Sequence, residues 1–419
     1  VTETPTQLAN LAWPRTTKQP KWANGEALLA TEKPAQLAHS AWAWTTKQPN
    51  RAHVLAIWRL KRQDVLLLPL LLTLGGCETV SGWFEDDAED LYAPVELTEL
   101  DSVEAEFDRR WSVSVGDGEG DGLYHINPLL EDGVVYVASS DGVVMAVNAD
   151  SGKRLWETEL DLALSGGMGK YRESLFAGGE DGLVLRLRSD DGTEVWRVEV
   201  TGEVLAAPQS NGEVVIAQTY DGRLFAFDYE TGERLWSYIS DVPVLTLRGT
   251  STPRIIGRNA VAGFADGKLV AVDLRSGNVS WEARIAIPQG RSEIERIVDI
   301  DGNFAVQGSE LFVASYQGRL VALETNAGRK LWQRNVSSVS GVSLGFGNVY
   351  VADEDGTVSA YLRSGQGVRW QNIDLGYRGL SRPTPVSSYV AVGDFEGYVH
   401  LFSQVDGRIV GRTRVDSGG

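Results

Sequence analysis

Short apolar runs separated by polar turns recur along the chain at a spacing of about 40 residues. The clearest copies are residues 141–156 and 221–236, each of which opens on Asp-Gly, continues with an apolar run and ends on Trp. A seventh copy begins at Glu396 and has Gly411 in the region of the tryptophan. The other copies lie at 181–196, 266–281, 317–332 and 355–370. This repetition predicts seven copies of one small structural unit.

Each copy is interpreted as four antiparallel strands. In the first copy, the alternating runs 134–138 and 143–147 flank an Asp-Gly pair, which is typical of a type I′ hairpin. A second turn follows at Ser151-Gly152, and residues 154–158 form an outer strand. The less regular stretch before each copy supplies the fourth strand. Because one such unit cannot bury both of its faces, the units must stack, and the pattern predicts an all-β fold, a β-propeller of four-stranded blades.

Tryptophan recurs in the outer strand, as in the segment Ala226-Phe-Asp-Tyr-Glu-Thr-Gly-Glu-Arg-Leu-Trp236. This segment resembles the tryptophan-docking repeat of quinoprotein propellers, in which each indole is wedged between adjacent blades. An indole suits that place because it has a large flat apolar face and a single N–H to satisfy. We assign this structural role to Trp111, Trp156, Trp196, Trp236, Trp281, Trp332 and Trp370.

The number of blades follows from Trp111, which precedes the first complete copy. It is predicted to lie on the outer strand of an eighth blade, because propellers of this type close their ring by pairing an N-terminal strand with C-terminal strands. The sequence ends at Gly419, directly after the seventh outer strand. We therefore expect an eight-bladed β-propeller over residues 106–419, with a last blade that is incomplete because the C-terminus is truncated.

The region before the repeats predicts export and lipidation. An apolar run at 65–74 follows three basic residues and is too short to cross about 30 Å of hydrocarbon, which is typical of a signal peptide. It ends in Leu74-Gly-Gly-Cys77, which resembles a bacterial lipobox and contains the only cysteine, so a disulfide framework is excluded. The alternative for Cys77 is a buried thiol on a core strand.

These features divide the N-terminal region into three parts. Residues 1–53 contain a degenerate tandem duplication and are predicted to be a misassigned, disordered leader. Residues 54–76 are predicted to be the lipoprotein signal peptide, and 77–105 a flexible linker after the lipidated cysteine.

Composition and motifs narrow the function. The chain has 39 Lys and Arg against 57 Asp and Glu, a formal net charge of −18, which argues against nucleic acid as a partner. Its four histidines do not suggest a metal site, and no phosphate-binding loop, nucleophile elbow or zinc-protease motif occurs. The acidic run 117–122 lacks the remaining ligands of a calcium loop and is interpreted as a solvated turn. The sequence thus predicts no metal, no cofactor and no catalysis.

Two longer segments between consecutive copies, 241–253 and 292–301, would lie side by side on one face of the ring. Leu-Thr-Leu-Arg-Gly at 245–249 and Glu-Ile-Glu-Arg-Ile-Val-Asp-Ile-Asp at 293–301 resemble segments of the BamB family, the lipoprotein subunit of the outer-membrane β-barrel assembly machine. The resemblance implies a non-catalytic scaffold, lipid-anchored on the periplasmic face of the outer membrane, that supports the folding and insertion of outer-membrane proteins.

The resemblance also implies partners and contact residues. The BamA POTRA domains would be bound through Leu245, Leu247, Arg248, Asp299 and Asp301, with other subunits and unfolded outer-membrane proteins as further partners. Arg248 is expected to pair with Asp299 or Asp301 and so to fix the loop. The alternative is that both leucines are ordinary inward strand residues and that the charges form a surface pair worth under about 1 kcal/mol.

Two other functions remain open at this point. Quinoprotein-like PQQ-dependent dehydrogenases share the repeat, but they are longer than this chain. They often contain adjacent cysteines, whereas this chain has a single cysteine. The second alternative is an envelope scaffold for another protein or for a glycan.

Overall fold

The computed structural model describes residues 92–100, 102–118, 124 and 126–415. The predicted leader, the signal peptide and Cys77 lie outside the described residues. Within them the chain folds into seven antiparallel sheets of four strands, each a meander in chain order. The fold is an all-β propeller, as the repeat predicts.

The first four sheets contain sixteen strands. The first sheet has β1 (Leu129–Glu131), β2 (Val134–Ala138), β3 (Val143–Asn148) and β4 (Arg154–Glu159). The second has β5 (Gly169–Tyr171), β6 (Ser174–Gly178), β7 (Leu183–Arg188) and β8 (Glu194–Glu199). The third has β9 (Gln209–Ser210), β10 (Val214–Thr219), β11 (Arg223–Asp228) and β12 (Arg234–Ile239). The fourth has β13 (Arg254–Ile256), β14 (Asn259–Gly263), β15 (Lys268–Asp273) and β16 (Val279–Arg284).

The last three sheets follow the same plan, after a short 3-10 helix at Ile294–Arg296. The fifth sheet has β17 (Ala305–Gln307), β18 (Glu310–Val313), β19 (Arg319–Glu324) and β20 (Lys330–Asn335). The sixth has β21 (Val342–Gly345), β22 (Asn348–Ala352), β23 (Val358–Leu362) and β24 (Val368–Asn372). The seventh has β25 (Thr384–Val386), β26 (Tyr389–Gly393), β27 (Tyr398–Ser403) and β28 (Ile409–Arg414).

The second and third strands of each sheet form the core. They read as nearly continuous apolar runs, such as Val214–Thr219 in β10, because adjacent sheets cover both of their faces. One such layer joins Ile216 and Leu224 of the third sheet to Ala262 and Val270 of the fourth. The fourth strands alternate between exposed and half-buried residues, which agrees with their place at the rim.

Each of the seven assigned tryptophans lies against a neighbouring element. The indole N–H of Trp156, for example, donates to the carbonyl of Ser189 in the next sheet at 3.0 Å. A Cβ added to Gly192 would lie 2.7 Å from the Trp156 ring, so the turn needs glycine both for this contact and for its φ of +72°. The other indole N–H groups donate in the same way to the carbonyls of Ala149, Tyr229, Leu274, Thr325, Arg363 and Gln404.

The expectation of an eighth, incomplete blade is wrong: the described residues form seven four-stranded sheets. Trp111 belongs to no strand, although its indole N–H donates to the carbonyl of Ala149 at 3.0 Å. Around it, the irregular segment 102–116 packs on both neighbouring sheets. Val115 joins the apolar side chains of the first sheet, and Ala105 packs with Leu401 and Val410 of the seventh. A tryptophan can therefore dock on a neighbouring sheet even when its own segment forms no strand.

The hairpins also differ from the predicted type. In the turn at Asp141-Gly142 only the glycine has positive φ, +91°, and its N–H donates to the carbonyl of Ser139 at 3.1 Å. A type I′ turn needs positive φ at both central residues, so this connection is a longer turn that ends on a left-handed glycine.

Candidate partner-binding surface

The two predicted loops lie on the same face of the propeller. In a four-stranded meander, the hairpin between the second and third strands and the exit from the fourth strand are at the same end of the sheet. The segment 240–253 follows β12, and the segment 285–304 follows β16. They are therefore neighbours at this end of the ring, which we call the loop face.

A hydrogen bond joins the two loops. The Leu247 N–H donates to Asp299 Oδ2 at 2.5 Å, and both residues are buried, with exposures of 6% and 1%. Gly249 packs on Asp301, since a Cβ added to it would lie 3.0 Å from Asp301 Cγ. The structure thus brings Leu247, Asp299 and Asp301 together, while Leu245 is half-buried nearby. The aspartates shape the two loops from within.

Arg248 does not form the expected ion pair with Asp299 or Asp301. Its guanidinium pairs instead with Glu203, which precedes the third sheet, at 2.6 Å. The same guanidinium lies 5.6 Å from the ring centroid of Tyr124, whose hydroxyl donates to Glu180 Oε1 at 2.7 Å. Burial, together with the hydrogen bond to Glu180, raises the pKa of Tyr124 to about 12. Arg248 therefore links several elements of the loop face, a contact worth more than an isolated exposed pair.

The electrostatics of the aspartate pair favour protonation. Burial raises the pKa of Asp299 to about 7, although the hydrogen bond from the Leu247 amide opposes the shift. Burial, followed by the charge of Asp299, also raises the pKa of Asp301 well above its usual value. Asp299 Oδ1 accepts no hydrogen bond within the described residues, which agrees with a costly site for a carboxylate.

This shift predicts a pH-dependent stability. The unfolded chain releases the Asp299 proton near pH 4 and the folded chain near pH 7, so the stabilisation is complete below about pH 4 and is lost as the pH rises to about 7. Asp299→Asn keeps an oxygen that accepts from Leu247 but cannot ionise. We expect the unfolding free energy of this variant to fall less steeply between pH 4 and 7 than that of the parent chain, by roughly 1.4 kcal/mol per pH unit.

Urea unfolding across this pH range measures the effect. Asp241→Asn, which changes an exposed carboxylate on the same loop, serves as the matched control and is expected to leave the slope as in the parent chain. If Asp299→Asn also leaves the slope unchanged, Asp299 is already ionised in the folded chain at low pH.

Exposed apolar side chains, which the sequence patterns did not single out, lie beside the predicted residues. Val244 is 93% exposed, and Ile287 and Ile294 on the adjoining loop are 59% and 57% exposed. Exposed apolar side chains on neighbouring loops are typical of protein-contact sites. The only feature of the sequence that could have identified Val244 is its position directly before the Leu245–Gly249 stretch.

Two observations concern other kinds of site. In the part of the chain that the structure describes, no three His, Cys, Asp or Glu side chains are grouped so as to hold a metal ion. Among the same residues, no helix is long and apolar enough to cross a membrane.

Seven sheets with interleaved tryptophans define the class of quinoprotein-like β-propellers. A family model described as "Outer membrane protein assembly factor BamB" matches residues 108–165 and 140–372. The chain belongs to the BamB family of outer membrane protein assembly factors.

Individual relatives agree with this assignment. BamB of Pseudomonas aeruginosa is 46% identical over 353 residues, 84% of this chain and 91% of that protein. BamB of Yersinia pestis is 32% identical over 374 residues, 86% of this chain and 93% of that protein. The crystal structure of BamB from Moraxella catarrhalis covers 69% of this chain and 88% of its own, with a TM-score of 0.66 and 29% identity.

The relatives also decide between the functional classes. A quinohemoprotein alcohol dehydrogenase from Comamonas testosteroni has a TM-score of 0.56 over 70% of this chain and 67% of its own. At 14% identity, this likeness shows the fold alone. The relatives of higher identity are named as assembly factors, so the prediction of a non-catalytic protein is confirmed. The protein is an outer-membrane-associated assembly factor for outer-membrane proteins.

Proposed function

We propose that this assembly factor binds the POTRA domains of BamA through the loop face of its fourth blade. The observation that carries the proposal is the exposure of Val244, Ile287 and Ile294 on two loops that a buried hydrogen bond holds together. Apolar anchors on a preorganised support bind well because little conformational entropy is lost on association. Leu245 and Arg248 border this patch, while Leu247, Asp299 and Asp301 hold its shape.

The proposal includes an anchor and further partners. Cys77 would carry the lipid and tether the protein to the periplasmic face of the outer membrane. The linker would be the stretch between Cys77 and residue 92, because Val95 and Thr98 accept hydrogen bonds from arginines of the seventh blade. The other subunits of the assembly complex, and unfolded outer-membrane proteins, are proposed as further partners.

Binding of the purified chain to isolated BamA POTRA domains tests the surface. Val244→Glu places a charge in the apolar patch, and Leu245→Ala/Arg248→Ala removes its border. Each is expected to weaken binding at least tenfold, because a desolvated charge, or the loss of two contact side chains together, costs more than about 1.4 kcal/mol.

The matched control is Val405→Glu. Val405 is 70% exposed and lies in the turn between β27 and β28, at the opposite end of the sheet. We expect this variant to bind like the parent chain. Undiminished binding by Val244→Glu and by Leu245→Ala/Arg248→Ala would exclude the loop face as the contact surface.

A further inference from the structure

The seven sheets enclose a cavity of about 330 Å³. Every sheet contributes lining residues from its innermost strand or the stretch just before it, so the cavity is the axial channel of the propeller. Its size lies at the lower end of the range for pockets that hold small molecules. Most of the lining side chains are small, or polar and uncharged.

Two arginines in the lining depart from this pattern. The innermost strands pair with the second strands in matching registers, so equivalent positions in different sheets can be compared. Arg254 of the fourth sheet is equivalent to Thr384 of the seventh, and Thr252 is equivalent to Arg382. The positions of the two arginines in their own sheets thus differ by two residues. Side chains two residues apart in an extended segment point to the same side, so both arginines line the channel.

The same two positions are uncharged in all the other sheets. The counterparts of Arg382 are Asn127, Gly167, Ala207, Thr252, Asn303 and Gly341. The counterparts of Arg254 are Leu129, Gly169, Gln209, Ala305, Ser343 and Thr384. The repeat itself therefore does not require a charge here, and the two arginines are particular to the fourth and seventh sheets.

Neither guanidinium has an acidic partner. Within the described residues, Arg254 and Arg382 form no side-chain hydrogen bond or ion pair. Desolvation, followed by repulsion from the Arg382 charge, lowers the pKa of Arg254, although Arg254 remains exposed to solvent in the channel. Asp301 is the one carboxyl among the lining residues, and its raised pKa favours the neutral form. Two positive charges that line one channel without a counter-ion attract an anion into it.

We propose that the channel binds a small anion with at least two negative charges, and that Arg254 and Arg382 are its principal ligands. Carboxylate and phosphate groups share the required chemistry, because each presents paired oxygens to the planar fork of a guanidinium. Thr252, Thr384 and Asn303 line the same cavity and offer hydroxyl and amide groups to orient the rest of the molecule. The site is separate from the exposed patch around Val244, so it does not depend on the proposed contact with BamA.

Calorimetric titration of the purified full chain at pH 7.5 and low ionic strength tests the site. The probes are citrate, inorganic phosphate and a hexaglutamate peptide. We expect saturable binding of citrate, phosphate or both, and the stronger of the two identifies a carboxylate or a phosphate ligand. Arg254→Gln and Arg382→Gln are each expected to weaken that binding at least tenfold, and the double variant to abolish it.

Arg275→Gln is the matched control, because it removes the same charge from an exposed turn. It is expected to bind the probe like the parent chain. The single variants decide the question if the double variant does not fold. At the same probe concentration, the melting temperature is expected to rise less for the single variants than for the parent chain. The site is refuted if neither citrate nor phosphate binds, if the arginine variants bind unchanged, or if hexaglutamate alone binds, which would indicate an acidic polypeptide.

Discussion

Replacing Trp370 with alanine is expected to lower the free energy of unfolding by about 3–5 kcal/mol. The side chain is 6% exposed and lies between the sixth and seventh sheets. Its ring stacks on Phe402 at a centroid distance of 6.2 Å and an interplanar angle of 9°, and it lies 5.9 Å from Tyr350. Its N–H donates to the carbonyl of Gln404 at 3.1 Å. Alanine would leave a cavity between two sheets that contact each other across this layer.

Urea unfolding of Trp370→Ala, Trp370→Phe and Val405→Ala measures this effect. The phenylalanine keeps most of the apolar contact and loses the N–H, so a smaller loss than for alanine is expected. Val405 is 70% exposed, and its change is expected to stay within about 0.5 kcal/mol. A loss below about 1 kcal/mol for Trp370→Ala would show that the indole does not hold the two sheets together.

The blades could be predicted from the sequence because each repeat carries the residues that form the contacts between blades. Within the repeat, a tryptophan on one blade meets a glycine on the next, as Trp370 meets Gly407, and both belong to the same short motif. The apolar runs likewise place the strands closely, since Val134–Ala138 is predicted and observed. A short apolar run bounded by turn residues can be recognised without knowledge of the rest of the chain.

The expectation of an eighth blade is wrong because the docking of Trp111 does not make its segment a strand. Trp111 packs on Gly152 as the other tryptophans pack on their glycines. A strand, however, also needs a neighbouring strand to satisfy its backbone groups in a ladder. That requirement is not encoded in the segment around Trp111, whose backbone instead forms separate contacts, such as Ala105 N–H to the Val410 carbonyl at 3.1 Å.

The candidate site was predictable only in part. The patterns identified the two loops, and Leu247 and Asp299 do meet. They did not identify Glu203 as the partner of Arg248, because the choice among several acids depends on where separate blades place them. Exposure of Val244 is also a tertiary property, since an isolated valine next to a leucine motif fits a core equally well.

A second buried group, which the sequence did not reveal, holds the N-terminal segment on the seventh sheet. Asp394 accepts hydrogen bonds from Arg378 Nε at 2.7 Å and His400 Nε2 at 3.0 Å, with both partners buried. Burial lowers the pKa of His400, so the neutral ring also accepts from Arg412 Nε through Nδ1. Arg378 and Arg412 in turn donate to the carbonyls of Val95 and Thr98 at 2.9 and 2.7 Å.

Asp394→Ala is therefore expected to lower the free energy of unfolding by about 3–5 kcal/mol, because Arg378, whose side chain is 3% exposed, loses its buried counter-ion and keeps only the partly exposed Glu396. Asp406→Ala, at an exposed pair with Arg408, is the control and is expected to cost under about 1 kcal/mol. Arg378→Met/Asp394→Leu removes both charges and is expected to cost less than Asp394→Ala alone in urea unfolding. Equal losses would instead assign the effect to the hydrogen bonds that Asp394 accepts from the amides of Glu396 and Tyr398.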